Sequence, residues 1–286
     1  METKKEMCLK YIKNNPIFIC PYCRTSLKIT LNDLKCMNGH TFNISKKGEL
    51  FLVNTSNYKS SKIYDKDLFT HRREFIESNL YKGIYDIVAN IINTHMNNNI
   101  LIMDLGCGEG THCKKIQEKL SLGNSIIGID YSKAGISMAT DYLKENNIYI
   151  VADINNIPIK DKCIDVVIDF LSPYNNEELN RIVKDNSIII KIVPGEKYLV
   201  ELREKYKMKI YERESQVKEN IKKHFNIIDE LIYNHTFQIT NNTSNELERM
   251  TPLLKSMEKN NSKSLQSVTI DMKVYVVKKM KISKNC

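Results

Sequence analysis

From about Ile100 onward, short apolar runs alternate with amphipathic stretches. ILIMDLG is an apolar run that ends in glycine, and THCKKIQEKL after it has helical spacing. SIIGID, KAGISMATDYLKENN, IYIVAD, CIDVVIDF, EELNRIVK and SIIIKIVP continue the alternation. Strands that are apolar almost throughout predict a parallel sheet covered on both faces. Right-handed crossovers then make the sheet doubly wound. Further on, FNIIDELIYNHTFQI and VTIDMKVYVVKKM contain strand-like stretches that can form an antiparallel edge pair. Between them, ELERMTPLLKSMEKN predicts a helix with Pro252 in or beside its early turns.

The pattern upstream is different. LFTHRREFIESNLYKGIYDIVANIINTHM places Leu68, Phe75, Leu80, Ile84, Ile87, Val88 and Ile91 at roughly helical spacing, with Gly83 as the expected interruption. Before it, β-like runs at Ile17–Ile19 and Phe51–Val53 frame a Cys/His cluster. The chain thus divides into a small metal-binding β lobe (residues 1–53), a helical linker (54–97) and an α/β domain (98–286). The expected fold class is α/β, a Rossmann-like sheet with a small N-terminal lobe.

Composition narrows the classes. The 286 residues are 42% hydrophobic, enough for a real core and too many for disorder. No apolar run approaches the roughly 20 residues of a membrane span, and METKKEMCLKYIKNN lacks the apolar stretch of a secretory signal. A cytoplasmic protein without membrane partners is expected. Forty-three Lys and Arg against 34 Asp and Glu give +9, which favours an anionic partner such as nucleic acid. Richness in Asn, Ile and Lys is a composition that raises charge without any partner, so this inference needs support from motifs.

The cysteines supply the first motif. Cys20-Pro-Tyr-Cys23 is followed, after twelve residues, by Cys36-Met-Asn-Gly-His40. Two thiolates on one turn and a second pair after a short hairpin make a closed four-ligand set for structural zinc. A lobe this small has little core of its own, so the metal would supply much of its folding energy. Cys107, Cys113 and Cys163 read as structural, and Cys286 is terminal. His95, His112, His224 and His235 show no pairing that suggests catalysis.

The second motif is Asp104-Leu-Gly106-Cys-Gly108-Glu109-Gly110, between the first strand and first helix of the α/β domain. Glycines there let backbone approach a ligand at the carboxyl edge of the sheet. The third glycine comes one residue earlier than in the dinucleotide fingerprint. The order D-x-G-x-G-x-G resembles the S-adenosylmethionine methyltransferase motif. Asp130 ends the second strand, where an acid can accept hydrogen bonds from two ribose hydroxyls. Asp153 follows the third, where that family contacts adenine.

Taken together, the segments resemble the bacterial 23S rRNA guanine-N1 methyltransferases, some of which protect against macrolides. The resemblance runs from about Ile17 to Val277. CPYC, CMNGH and TFNISKKGEL resemble the family's zinc lobe, and HRREFIESNLYKGI its inter-domain helix. MDLGCGEG, GIDYSKAGI and LSPYNNEELNRIVK resemble its cofactor domain, and PGEKYLVEL and MTPLL its later motifs. It implies zinc on Cys20, Cys23, Cys36 and His40, and S-adenosylmethionine on Gly108, Glu109 and, from the linker helix, Tyr81. Tyr198 stands where the family has a His, Lys184-Asp-Asn-Ser187 where it has a Lys-Pro-Gly-Gly turn, and Asp169 where some relatives carry a basic residue.

The implied reaction methylates N1 of a guanine in a 23S rRNA hairpin, and a homodimer forming an RNA cleft fits the family. Guanine N1 carries a proton that must leave, and Asp169, at the carboxyl end of the fourth strand, is placed to accept it. Arg24, Lys28, Lys46 and Lys47, continued by His71, Arg72 and Arg73, are expected to track phosphates. Phe42 reads as lobe core, and Tyr22 as either packing or base stacking. Two other readings stay open: a methyltransferase of this fold acting on a small purine-like or antibiotic-pathway metabolite, and a noncatalytic RNA-binding protein.

Overall fold

The computed structural model describes residues 2–31, 33–56, 58–121, 123–209, 214–256 and 263–280. Its first element is a helix that the hydrophobic pattern does not announce, α1 (Lys4–Asn14). Thr3 caps it, with Glu6 reaching back to the Thr3 backbone, and Cys8, Tyr11 and Ile12 are its buried face. The lobe follows as a three-stranded antiparallel sheet of β1 (Leu27–Thr30), β2 (Asp33–Cys36) and β3 (Thr41–Asn43). Then β4 (Leu50–Leu52) leaves the lobe and pairs parallel with a strand of the larger sheet.

The linker forms α2 (Lys66–Glu77) and α3 (Lys82–His95). The break lies at residues 78–81, where Asn79 has φ +66, and Gly83 falls inside the first turn of α3. The α/β domain runs β5 (Leu101–Leu105), α4 (Thr111–Gln117), β6 (Ser125–Asp130), α5 (Lys133–Ala139), β7 (Asn147–Ala152), β8 (Ile164–Phe170), α6 (Asn176–Ile182) and β9 (Val183–Pro194). After α7 (Val200–Lys205) and α8 (Glu214–His224) come β10 (Phe225–Gln238), α9 (Asn241–Met250) and β11 (Ser267–Lys279). Thr251 ends α9 and Pro252 opens a short 3-10 turn, so the expected longer helix stops at the proline, and residues 257–262 lie outside the description.

The large sheet has the order β10-β11-β9-β8-β5-β6-β7-β4. From β4 to β9 all pairings are parallel, and β9-β11 and β11-β10 are antiparallel, the expected edge pair. Strand order reverses at β5, which lies between β6 and β8, so the carboxyl ends of these strands open a crevice. On one face α2, α3, α4 and α5 pack against Ile102, Ile126, Val166, Ile168 and Ile190. On the other, α1, α6 and the lobe residues Phe18, Leu34 and Phe42 share a core with Ile127, Ile148, Ile150 and Val167. No described helix is long and apolar enough to cross a membrane.

Leu50 and Leu52 are fully buried at this junction, and Ile17, Phe18 and Ile19 also bond to the loop after β7. Leu50→Ala should therefore lower unfolding free energy by about 2–5 kcal/mol in a urea titration. A loss below about 0.5 kcal/mol, the level of a neutral surface change, would show that β4 is not seated in the core.

Candidate functional site

β5 ends at Leu105, and the chain turns through Gly106–Gly110 into α4. Gly106 has φ +75, and a Cβ there would stand 2.5 Å from Ser172 Cβ. Gly110 has φ +83, and a Cβ there would meet Ala139 Cβ at 2.9 Å. Only glycine satisfies both the backbone angle and the close approach. The amides of Gly106 and Cys107 donate to Ile129 O at 2.8 and 2.9 Å, which ties the turn to β6.

Asp130, the last residue of β6, accepts from Gly108 N (2.9 Å) and Ser132 N (2.7 Å). Asp153 follows β7 on the same edge and accepts from Asn155 N at 2.8 Å. Beside it is a cavity of about 220 Å³ whose walls include Pro21, Asn54, Tyr131, Asp153 and Asn156. Pro21 comes from the CPYC turn of the lobe, and its carbonyl accepts from Asn156 Nδ2 at 2.8 Å.

Four carboxylates crowd the turn. Burial, and then the charges of Asp169, Asp130 and Glu109, push Asp104 up to about 8. The buried Cys113 thiol, a weak donor, is the side chain that hydrogen-bonds it. Burial also raises Asp130 and Glu109, against the hydrogen bonds that stabilise their ionised forms. Glu109 is held by Thr111 N (3.1 Å) and by Arg73 Nε (3.4 Å) from α2.

An aromatic wall faces this edge. Tyr81 and Tyr198, far apart in sequence, share a hydrogen bond of 2.8 Å between their hydroxyls. The Tyr81 ring meets His112 and Phe170 edge-on at 5.3 and 5.8 Å. His112 stacks on Phe170 at 4.0 Å and bonds Tyr85 Oη at 2.8 Å. Burial, then the Arg72 charge, pushes His112 down to about 3, so its ring is neutral at pH 7. Nothing in the sequence pairs His112 with another group. Its position two residues after Gly110 was the available signal.

Asp169 sits elsewhere in kind. It is fully buried, with Lys191 Nζ at 2.5 Å from one oxygen and Ser172 N at 3.2 Å from the other. Ser172 Oγ lies 2.9 Å from Asp169 and 2.6 Å from Leu105 O, and Lys191 Nζ also donates to Ser172 O at 2.7 Å. Its expected role as a proton acceptor facing the cleft is not what this geometry provides, because the carboxylate is fully buried against the Lys191 ammonium.

In the lobe, Cys20, Cys23, Cys36 and His40 converge, with ligand atoms all within 4.8 Å of one another. Cys23 and Cys36 sulfurs are 3.7 Å apart, and His40 Nδ1 lies 3.3 Å from Cys36 and 3.5 Å from Cys20. Ligands about 2.0–2.3 Å from a tetrahedral centre are roughly 3.3–3.8 Å from each other. Hydrogen bonds from Thr25 pull the Cys23 thiol down to about 6, toward the thiolate that a metal needs. Tyr22 stacks on the His40 ring at 4.9 Å and bonds Thr55 Oγ1 at 2.7 Å, so it packs the knuckle. Phe42 is buried.

The expected cationic track is divided. Lys28, Lys46 and Lys47 are exposed. Arg24 bonds Asn156 Oδ1 at 2.5 Å, and buried His71 bonds Glu246 Oε2 at 2.5 Å. Arg73 is taken by Glu109, Asp141 and Met138 O. His71 and Arg73 thus serve packing within the chain, while Arg24 stays exposed with its guanidinium bonded to Asn156.

The Asp104 environment has a pH consequence. Its carboxyl titrates near 3.8 when unfolded and near 8 when folded, so stability is lost as pH rises through that window. Urea unfolding at pH 5 and pH 8 should show wild-type stability falling relative to Asp104→Asn. A difference that stays constant with pH would exclude the effect.

Comparison with known proteins agrees with this geometry. Residues 96–273 match a family model described as "Methyltransferase domain". A protein of Bacillus subtilis (strain 168) with the provisional name 23S rRNA (guanine-N1)-methyltransferase YxjB is 34% identical over 195 residues, 66% of this chain and 68% of its own. The 23S rRNA (guanine(748)-N1)-methyltransferase of Streptomyces fradiae is 21% identical over 64% of this chain and 65% of its own. Among solved structures, a chain from the complex of the Haloferax volcanii Trm112 methyltransferase activator with a methyltransferase shares the fold, at TM-score 0.50 and 14% identity, over 77% of this chain and 99% of that one. The chain therefore belongs to the 23S rRNA (guanine-N1)-methyltransferase family and carries its methyltransferase domain.

Proposed function

We propose that this chain transfers the methyl group of S-adenosylmethionine to N1 of a guanine in a 23S rRNA hairpin. The observation that carries the reading is the placement of the glycine turn, Asp130 and Asp153 on one sheet edge, facing the Tyr81–Tyr198 wall and joined to a four-ligand knuckle. Asp130 takes the ribose hydroxyls, Asp153 and Tyr131 flank the adenine, and Gly106, Gly108, Glu109 and Gly110 with Asp104 form the bed beneath the amino-acid portion. The bare backbone that Gly106 and Gly110 require, at φ +75 and +83, suits a ligand laid directly against the turn. When bound, S-adenosylmethionine supplies an electrophilic methyl on a sulfonium.

The protein's own contribution is alignment and exclusion of water. Tyr81, Tyr198, His112 and Phe170 present an uncharged aromatic wall to the reacting edge. Asp169 is a positioning residue: with Lys191 it holds the Ser172-Pro173-Tyr174 turn against β5. The N1 proton passes to water. The base must leave its pair to reach the edge, which a hairpin loop permits. The metal is zinc, fully ligated by protein and hence structural. Protection against macrolides follows where the methylated guanine lies in the drug's path.

Tritium from labelled S-adenosylmethionine should enter naked 23S rRNA, and mass mapping should place it on guanine N1. Label in free purines or other small molecules alone would replace the substrate, and tight cofactor binding without transfer to any of them would leave an RNA-binding protein.

Removing the metal with a chelator should unfold the knuckle. Because Pro21 walls the cavity, affinity for S-adenosylhomocysteine should fall with it. An unchanged near-UV spectrum with unchanged affinity would contradict the metal reading.

A further inference from the structure

Arg72 belongs to the polar face of α2, where sequence spacing suggests a phosphate contact. The fold puts it elsewhere. A Cβ built on Gly108 would have Phe69 at 3.2 Å and the Arg72 Nη1 at 3.8 Å as neighbours, so the guanidinium lies directly over the glycine turn. Its central carbon is 5.3 Å from the Phe69 ring and 5.8 Å from the Tyr64 ring, and these two aromatics support it. Its charge is felt on every side of the cleft: it favours the ionised forms of Asp130 and Glu109 and opposes protonation of His112.

What it lacks is a partner. Arg73, the next residue, is bound to Glu109 and Asp141, and Lys191 is bound to Asp169. Among the described residues, Arg72 has no carboxylate at ion-pair distance, and its contacts are the two rings. A guanidinium is a rigid fork of donors that matches a carboxylate through two parallel bonds. Holding such a fork half-buried over a backbone turn, next to several acids that do not reach it, leaves a site for an anion from outside the chain.

We propose that Arg72 receives the α-carboxylate of the amino-acid portion of the cofactor. This rests on the reading of the cleft as an S-adenosylmethionine site and deepens it. The ribose end is held by an acid, Asp130, and the amino-acid end by a cation, so the cleft carries opposite polarity at its two ends. Linker helix α2 is then part of the binding site through Arg72, and through Arg73 it fixes Glu109 of the same turn.

The test compares two ligands that differ by the amino-acid portion. Calorimetry on the full chain measures S-adenosylhomocysteine, which has the carboxylate, and methylthioadenosine, which does not. Arg72→Gln should weaken S-adenosylhomocysteine about 10- to 100-fold, as expected for a hydrogen-bonded charge, and change methylthioadenosine less than about 2-fold. Arg72→Lys, keeping charge without the fork, should fall between. Equal loss of both ligands would assign Arg72 to packing of the turn and overturn the proposal. Unchanged S-adenosylhomocysteine affinity together with weakened rRNA binding would return Arg72 to the phosphate track and overturn it as well. Failure of the wild-type chain to bind either ligand would instead remove the cofactor reading on which the proposal stands.

Discussion

The close approach of Gly106 to Ser172 is the constraint from which the rest of the site follows. Two turns leave neighbouring parallel strands and meet where no side chain fits between them. Ser172 Oγ touches the carbonyl of Leu105, and the buried Asp169–Lys191 pair anchors Ser172 from behind. A buried ion pair contributes little net stability, since desolvation offsets attraction. Its effect here is on geometry: it fixes where the β8 turn stands relative to the β5 turn, and so sets the width of the crevice.

The lobe and the sheet are one physical unit. β4 extends the parallel sheet at its edge, Phe18 pairs with Ile159, and Asn156 bonds the Pro21 carbonyl inside the CPYC turn. A substrate gripped by the lobe would therefore be gripped by a surface whose position relative to the crevice is set by strand pairing. The linker helices close the third side: Arg73 ties α2 to Glu109, and Tyr81 between α2 and α3 reaches Tyr198.

Much of this was legible in sequence because it depends on local pattern. The five continuous apolar strands, the glycine order and the paired ligand spacing each encode their own geometry. The antiparallel edge pair was equally readable, since β10 and β11 are long and strand-like. What the pattern could not supply were long-range pairings of polar groups. Nothing about Arg73 indicates that it will meet Glu109 while Arg72 meets none, nor that Asp169 will face Lys191. The short β4 reads as lobe because its three residues follow the lobe in sequence, and α1 shows no clear apolar stripe because only three of its residues are buried. Gly83 was a natural breaker, yet the chain breaks earlier, where Asn79 takes the left-handed angle.

The phenol pair at Tyr81 and Tyr198 carries one more implication. An imidazole gains charge near neutrality, whereas Tyr198 offers a hydroxyl whose ionisation burial has moved further from the physiological range. Two phenols joined head to head neither take up nor release protons as the surroundings acidify. The electrostatic character of that wall is consequently indifferent to acidity near neutrality, since burial also holds its one imidazole, His112, neutral.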